Sequence, residues 1–333
     1  MARLSVEQVH GLVVETLVRC KTLPANAESV AAALVGAELT GQAGHGLRRV
    51  PSYAAQAMSG KVDGHAVATA EQRAAATLAV DAAHGFAYPA IDLAVDALPQ
   101  MAKACGIALC GVTRSHHCGV AGLTVERFAA EGLVAMMFAN TPAAMAPWGG
   151  STAVFGTNPI AFAAPTVGGE AAVVIDVSLS KVARGKIMAA RQRGEAIPEG
   201  WALDAEGAAT TDPAAALSGT MVPMGDAKGT ALALMVELLA ASLTGANTAA
   251  EASSFFDAEG PAPGVGQTLI VIDPACIGGD AAVARIGALL ATIDGQDGAR
   301  IPGARRKALR EEYRRDGVDV DDGLLKEIDQ VGR

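Results

Sequence analysis

The strongest constraint on this chain is a repeated switch between two hydrophobic periods. From Thr77 onward, short apolar runs alternate with amphipathic stretches at helical spacing. TLAVDA at Thr77, IALCGVTRS at Ile107, LVAMMFANT at Leu133, VVIDVS at Val173 and TLIVIDP at Thr268 read as strands. PAIDLAVDALPQMAKACG at Pro89, stopped by Gly106, and LTVERFAAEG at Leu123 read as helices. Strand–helix alternation of this kind predicts an α/β layer.

The flanks read differently. Ser5 and Gln8 form a capping-box pattern, and Val6, Val9, Leu12, Val13 and Leu17 follow at helical spacing. Pro24 is expected to end this first helix. A second helix over 26–40 stops in the turn GQAGHG, and a third spans 48–58. The stretch APWGGSTAVFGTNPIAFAAP at Ala146 reads as a loop that shapes a site, because its glycines permit close approach. SKVARGKIMAARQRG at Ser180 reads as a basic helix, IPEGWALDAEGAATTDPAAAL at Ile197 as irregular, and 228–243 as an apolar buried helix. Two helices are expected to end the chain. No internal repeat is visible. With hydrophobic residues at 51%, aromatics at 4% and 38 glycines, packing must rest on small aliphatic side chains.

The net charge of -9 argues against nucleic-acid binding, which needs clustered Lys and Arg, but leaves room for a local basic pocket. The five cysteines form no CxxC pair, which fits a reducing compartment and excludes a cysteine zinc site. The most apolar stretch, 231–244, is broken by Glu237 and is shorter than the run of about 17–25 residues a bilayer crossing needs. No membrane association and a cytoplasmic location are expected.

Of the six histidines, His10 and His65 read as inert and His84 as structural. His45 and the pair His116–His117 lie in Gly-flanked turns that display side chains. Arg49 follows His45 by four residues. Such a pair suits a 2-keto acid: Arg holds the carboxylate with two parallel bonds, and His gives a proton to the carbonyl oxygen. From spacing alone the plainer reading keeps a slight edge, with His45 closing a helix end and Arg49 paired to a surface acid. Adjacent histidines point apart and no HExxH occurs, so no metal is expected. No GxGxxG follows a strand; GVGQTL at Gly264 precedes one. GxxxxGK[ST] and GxSxG are also missing. Cys118 beside His117 reads more simply as a small core residue than as an activated thiol.

The chain resembles the type-2 malate/L-lactate dehydrogenase family. GHGLRRVPSYAAQ at Gly44, SHHCGVAG at Ser115, APWGGSTAVFGTNPIAFAAP at Ala146, VVIDVSLSKVARGKI at Val173, IPEGWALDAEGAATTDP at Ile197 and GDAKGTALALMVELLAASLTG at Gly225 carry the likeness in order. The resemblance implies an α/β fold with a non-Rossmann NAD(P)-binding mixed sheet flanked by helices. A helical domain would be built from 1–60 and 300–333, with a substrate-side segment over 61–125 and the cofactor-binding segment over 126–299. It also implies a homodimer and transfer of hydride between NADP, or NAD, and C2 of a small carboxylic acid.

Carried over by motif, His45 is the proton donor, and Arg49, His117 and Thr157 meet the substrate. His117, Gly119, Ala121, Asn158, Asp176, Val177, Ser178, Lys228, Arg305 and Arg306 meet the cofactor. Two positions depart from the family. Gly44 stands where a Ser usually precedes the His, and Lys186 stands at the place of an Asp that works with it. Lys186 is therefore a candidate partner of His45 through water, or an attractor for a second anionic group on the substrate. FGTNPIAFAAP, TTDPAAAL and EASSFFDAEGPAPGVGQ resemble the branch that reduces Δ1-piperideine-2-carboxylate and Δ1-pyrroline-2-carboxylate, which leaves a cyclic imino acid as the alternative substrate.

Overall fold

The computed structural model describes residues 1–168, 171–279 and 281–333. The chain opens with β1 (Ala2–Leu4) and three helices, α1 (Val6–Arg19), α2 (Pro24–Leu39) and α3 (Val50–Ser59). Two 3₁₀ turns, Ala43–His45 and Leu47–Arg49, join α2 to α3. The α/β run holds β2 (Thr69–Ala74), β3 (Thr77–Asp81), α4 (Ala87–Cys105), β4 (Ile107–Ser115), α5 (Ala121–Ala130), β5 (Val134–Ala139), β6 (Ile160–Pro165) and β7 (Ala171–Val177). Next come α6 (Arg184–Arg193), β8 (Ala202–Leu203), β9 (Ala209–Thr210), α7 (Pro213–Ser218), β10 (Thr220–Met221) and α8 (Ala227–Glu237). The chain closes with β11 (Val265–Ile272), α9 (Ala275–Gly278), α10 (Ala281–Asp294), α11 (Ala304–Asp316), β12 (Val318–Val320) and α12 (Asp322–Gln330).

Among the described residues the main sheet has seven strands in the order β2-β3-β4-β11-β5-β6-β7. It is mixed: β3 and β4 run parallel, and the other pairs are antiparallel. β11 lies between β4 and β5, with Val265 opposite Ser115 and Gln267 opposite Ala139. β4, β5 and β7 therefore run the same way. Their carboxyl ends meet the starts of β6 and β11 along one edge. Loops at such an edge are where α/β sheets place ligands.

α4 and α5 cover the sheet and share one core with it, in which Leu98, Phe128 and Met137 are fully buried. Each such side chain contributes roughly 1.5–3 kcal/mol. A second core unites α1, α2 and α3 with β12 and α12 around Leu17, Leu34, Leu47 and Tyr53. There the two ends of the chain meet, with β1 pairing β12 through Arg3 opposite Asp319.

The capping box is present in full: Gln8 N donates to Ser5 Oγ at 3.2 Å and Ser5 N donates to Gln8 Oε1 at 2.8 Å. Such a cap contributes about 1 kcal/mol. Gly106 ends α4 in the left-handed region, with φ of 83°. Other expectations shift. α1 ends at Cys20, and Pro24 instead starts α2, where a missing N–H costs nothing. β2 is a strand that no sequence pattern marked, and β6 lies inside the loop-rich stretch. The stretch read as irregular holds β8, β9 and α7. The apolar helix continues past Glu237 as a π-helical turn, Leu238–Ser242. The C-terminal region adds β12 and two further helices to the two expected.

Candidate active site

A cavity of about 450 Å³ opens at this sheet edge, where the two cores face each other. Each loop of the edge supplies a few residues. The α2–α3 turn gives Gln42, His45 and Arg49; the loop after β4 gives His117 and Gly119; Thr141 follows β5 and Thr157 precedes β6. Asp176 and Ser178 stand at the end of β7, and Arg184 opens α6. Phe255 and Phe256 close the wall from the loop before β11.

The α2–α3 turn holds its shape through Glu38, whose carboxylate accepts the Leu47 N–H at 2.9 Å. The turn aims His45 and Arg49 inward. Arg49 Nε donates to Gly44 O at 2.9 Å, and its guanidinium lies over the Phe256 ring at 4.6 Å. Arg49 Nη1 is buried without a partner, and no carboxylate pairs with this guanidinium among the described residues. A buried donor left in that state favours a ligand acceptor.

His45 Nδ1 lies 3.2 Å from His117 Nε2. His117 Nδ1 lies 2.5 Å from Tyr53 Oη, and Tyr53 Oη lies 3.1 Å from Tyr88 Oη. His116 is fixed separately. Gln56 Nε2 donates to Phe255 O at 2.9 Å, which turns Gln56 Oε1 toward His116 Nε2 at 2.7 Å and makes that nitrogen the donor.

Burial dominates the electrostatics. It lowers His45 to about 4, helped by Arg49 and Arg306. His116 falls to about 3 and His117 lies well below 6.5, both chiefly through burial. Burial also raises Tyr53 and Tyr88 and pushes Cys118 up to about 12, so Cys118 is a thiol rather than a nucleophile. Asp176 is raised by burial against the pull of the Gly122 N–H, which it accepts at 2.9 Å. Gly119 is required where it stands: its φ is 66°, and a Cβ there would meet Tyr88 Oη at 2.6 Å.

The cavity thus joins His45, Arg49, His117, Gly119, Thr157, Asp176 and Ser178 from the expected set. It does not join the others. Lys186 is exposed on α6 and does not line the cavity; Arg184, two residues earlier, does. Asn158 is fully buried and faces α8, donating to Ala233 O at 3.0 Å and Glu237 Oε2 at 2.8 Å. Ala121 is buried in the sheet core, and Val177, Lys228 and Arg305 are exposed. Arg306 sits behind Asp176: its Nη2 donates to Asp176 O at 3.5 Å, and its Nη1, which makes no hydrogen bond, lies 3.8 Å from Asp176 Oδ2 as an ion pair. Sequence reading missed Gln42, Thr141, Arg184 and the Phe255–Phe256 pair. In a chain with 4% aromatics, two adjacent phenylalanines in a Ser- and Gly-flanked loop were the available signal. No group of three His, Cys, Asp or Glu is placed to hold a metal among the described residues, and no helix of them is long and apolar enough to cross a membrane.

The family model described as malate/L-lactate dehydrogenase matches residues 4–329. The chain belongs to the malate/L-lactate dehydrogenase family. It is 50% identical to the (2R)-3-sulfolactate dehydrogenase (NADP(+)) of Chromohalobacter salexigens, over 98% of this chain and 96% of that protein. The structure of Δ1-piperideine-2-carboxylate reductase from Pseudomonas syringae pv. tomato superposes with a TM-score of 0.93 at 36% identity, covering 99% and 100% of the two chains. Sulfolactate dehydrogenase from Methanocaldococcus jannaschii superposes at 0.90 with 28% identity, covering 99% and 96%. The protein is accordingly an oxidoreductase of this family, built on its mixed α/β fold.

Proposed function

We propose that the protein is an NADP-dependent 2-hydroxy acid dehydrogenase whose substrate carries a second anionic group, as 3-sulfolactate does. One observation carries this reading: two guanidiniums, Arg49 and Arg184, line one cavity with His45, and neither pairs with a carboxylate among the described residues. Among the described residues, the one hydrogen bond Arg184 makes is a long 3.5 Å contact with Leu217 O. Two unmatched positive charges in a small cavity favour a dianion over a monoanion. The 50% identity to a sulfolactate dehydrogenase supports the same choice.

Arg49 holds the 2-carboxylate and Arg184 the second anion. His45 gives a proton to the C2 oxygen in the direction of reduction and takes it back in oxidation. Thr157 and His117 line the space around C2. Phe255 and Phe256 keep water from it.

The residues present fit a nicotinamide dinucleotide. Gly119 lines the cavity, Asp176 and Ser178 end β7 at it, and Arg306 Nη1 is buried with no hydrogen bond, its charge facing Asp176 Oδ2 at 3.8 Å. When bound, NADPH would supply the hydride for reduction, and NADP+ would accept it in oxidation. Arg305 and Lys228, both exposed, add positive charge for its phosphates. In this reading 126–299 carries the cofactor, while 1–60 and 300–333 bring His45, Arg49 and the phosphate arginines.

A homodimer is part of the proposal. α8 and its π-helical turn present Leu232, Leu234, Met235 and Leu238 to solvent, with Leu243 just beyond, and Leu238 is 53% exposed. A contiguous apolar band on one helix marks an interface. Light scattering should give twice the monomer mass. The five free thiols fit a cytoplasmic enzyme.

The test is a panel. Purified protein with NADPH is offered sulfopyruvate, oxaloacetate, pyruvate, Δ1-pyrroline-2-carboxylate and Δ1-piperideine-2-carboxylate, and NADPH loss is followed. Turnover of the dianionic keto acids supports the proposal. Turnover confined to the cyclic imines would replace it with imino acid reduction.

A further inference from the structure

We infer that His45 is the inner end of a buried proton wire, His45–His117–Tyr53–Tyr88, that crosses the molecule from the substrate cavity to a second, separate cavity. The inference rests on the reading of His45 as proton donor and adds where its proton comes from.

Three observations carry it. The contacts are continuous, at 3.2, 2.5 and 3.1 Å, between groups that can both donate and accept. The middle is sealed: Tyr53 is 0% exposed and His117 is 7% exposed. The outer end is not a dead end. Tyr88 lines a cavity of about 340 Å³ on the far side of the 117–120 loop, walled by Asp92, Glu126, Arg127, Arg310 and Arg314. Polar walls of that kind hold water.

The wire has two settings, in which every hydrogen bond points the same way. In one, Tyr88 donates to Tyr53, Tyr53 to His117 Nδ1, and His117 Nε2–H to His45 Nδ1. His45 then presents Nε2–H to the substrate cavity. In the other, all are reversed, and His45 presents a lone pair. Reduction consumes one proton. The new substrate O–H bond forms as the His45 Nε2–H bond breaks, and His45 takes a proton at Nδ1 from His117. His117 takes one from Tyr53, Tyr53 from Tyr88, and Tyr88 from an acid in the water of the second cavity. No charge is left inside. Oxidation runs the same shifts backwards and delivers the proton to that water.

This accounts for Gly44. A Cβ at Gly44 would meet nothing within 4 Å, so a serine there is not excluded by space. His117, backed by Tyr53, already orients His45 on its Nδ1 side.

The test compares Tyr53→Phe and Tyr88→Phe with wild type in mixtures of light and heavy water. It uses whichever acid the wild-type enzyme reduces. Wild type should show a solvent isotope effect with a bowed dependence on deuterium fraction, the mark of several protons moving together. Tyr53→Phe should lose about tenfold or more in kcat and show a straight dependence, with NADPH affinity held within threefold. Tyr88→Phe leaves the His45–His117–Tyr53 contacts in place and tests the outer end even where Tyr53→Phe fails to fold. Folded variants that keep kcat within twofold and the bowed dependence would overturn the wire. Failure of wild type to reduce any dianionic keto acid would instead overturn the substrate proposal, and the isotope comparison with the imine would still decide the wire.

Discussion

Residues 43–49 and residues 176–184 feed the same cavity in opposite ways. In the first segment every functional side chain is tied down. Arg49 is held by Gly44 O and the Phe256 ring, and His45 by His117. In the second, Asp176 is fixed by the Gly122 N–H, but Val177 is exposed and, among the described residues, Arg184 has only its long contact with Leu217 O. On the proposed function, the difference follows from what each must do. A proton donor has to be placed to within fractions of an ångström, whereas attraction between charges falls slowly with distance and tolerates movement. On the proposed function, chemistry belongs on the fixed segment and anion selection on the loose one.

The comparison breaks first at Arg49. Arg49→Lys keeps the charge but loses the two-pronged geometry and the stacking on Phe256. Steady-state kinetics should show kcat/KM for the keto acid falling by about a hundredfold to a thousandfold, since charge-assisted bonds contribute about 1.5–3 kcal/mol each. A loss under fivefold would mean that position matters less on this segment than argued. Arg184→Gln should act on selection. The ratio of kcat/KM for sulfopyruvate over pyruvate should fall by about ten- to a hundredfold, one charged contact's worth. An unchanged ratio would remove Arg184 from the anion site.

Acid should loosen the fixed segment before the loose one. Burial, then Arg49 and Arg306, hold His45 at about 4 against 6.5 for the free side chain. A folded value below the unfolded one means that the native state binds fewer protons between them. The stability tied to neutral His45 is present above 6.5 and is lost as pH falls toward 4, and His116 adds the same sign down to about 3. Going from about pH 7 to about pH 5 should therefore cost about 2–4 kcal/mol, read from urea midpoints. A flat profile would contradict the buried, neutral histidines. The smallest effect is expected at Gly44. Gly44→Ser has room and should change kcat by less than about threefold, because His117 already orients His45. A large gain would show that the wire leaves His45 poorly placed.

These contrasts also explain what the sequence disclosed. Segments with one buried face were legible: α1 shows both its cap and its period, and α4 its period and its Gly106 stop. β2 was not, because all six residues of TAEQRA are exposed and no alternation marks it. β6 hides among Gly and Pro, and β8 and β9, of two residues each, are too short for any period. At the site, the turn residues His45, Arg49, His117 and Gly119 stand in distinctive Gly-flanked motifs. Lys186 stands where the family carries an Asp, whereas Arg184, in the same basic stretch, carries no such mark. Positions two apart on a helix face different ways, and sequence does not say which one meets the cavity. Asn158 sits inside a motif yet serves α8 through Glu237, a pairing nearly eighty residues away in sequence. Tyr53 and Tyr88 joined nothing until the fold brought them to His117.

The most direct test of the separation between fixed chemistry and anion binding is His45→Ala. Calorimetry with NADPH present would measure sulfopyruvate binding, and the same sample would be assayed for turnover. The account predicts binding within about threefold of wild type and kcat lower by about a hundredfold to ten-thousandfold, the span of general acid catalysis. Retained turnover, or binding and turnover lost together, would contradict it.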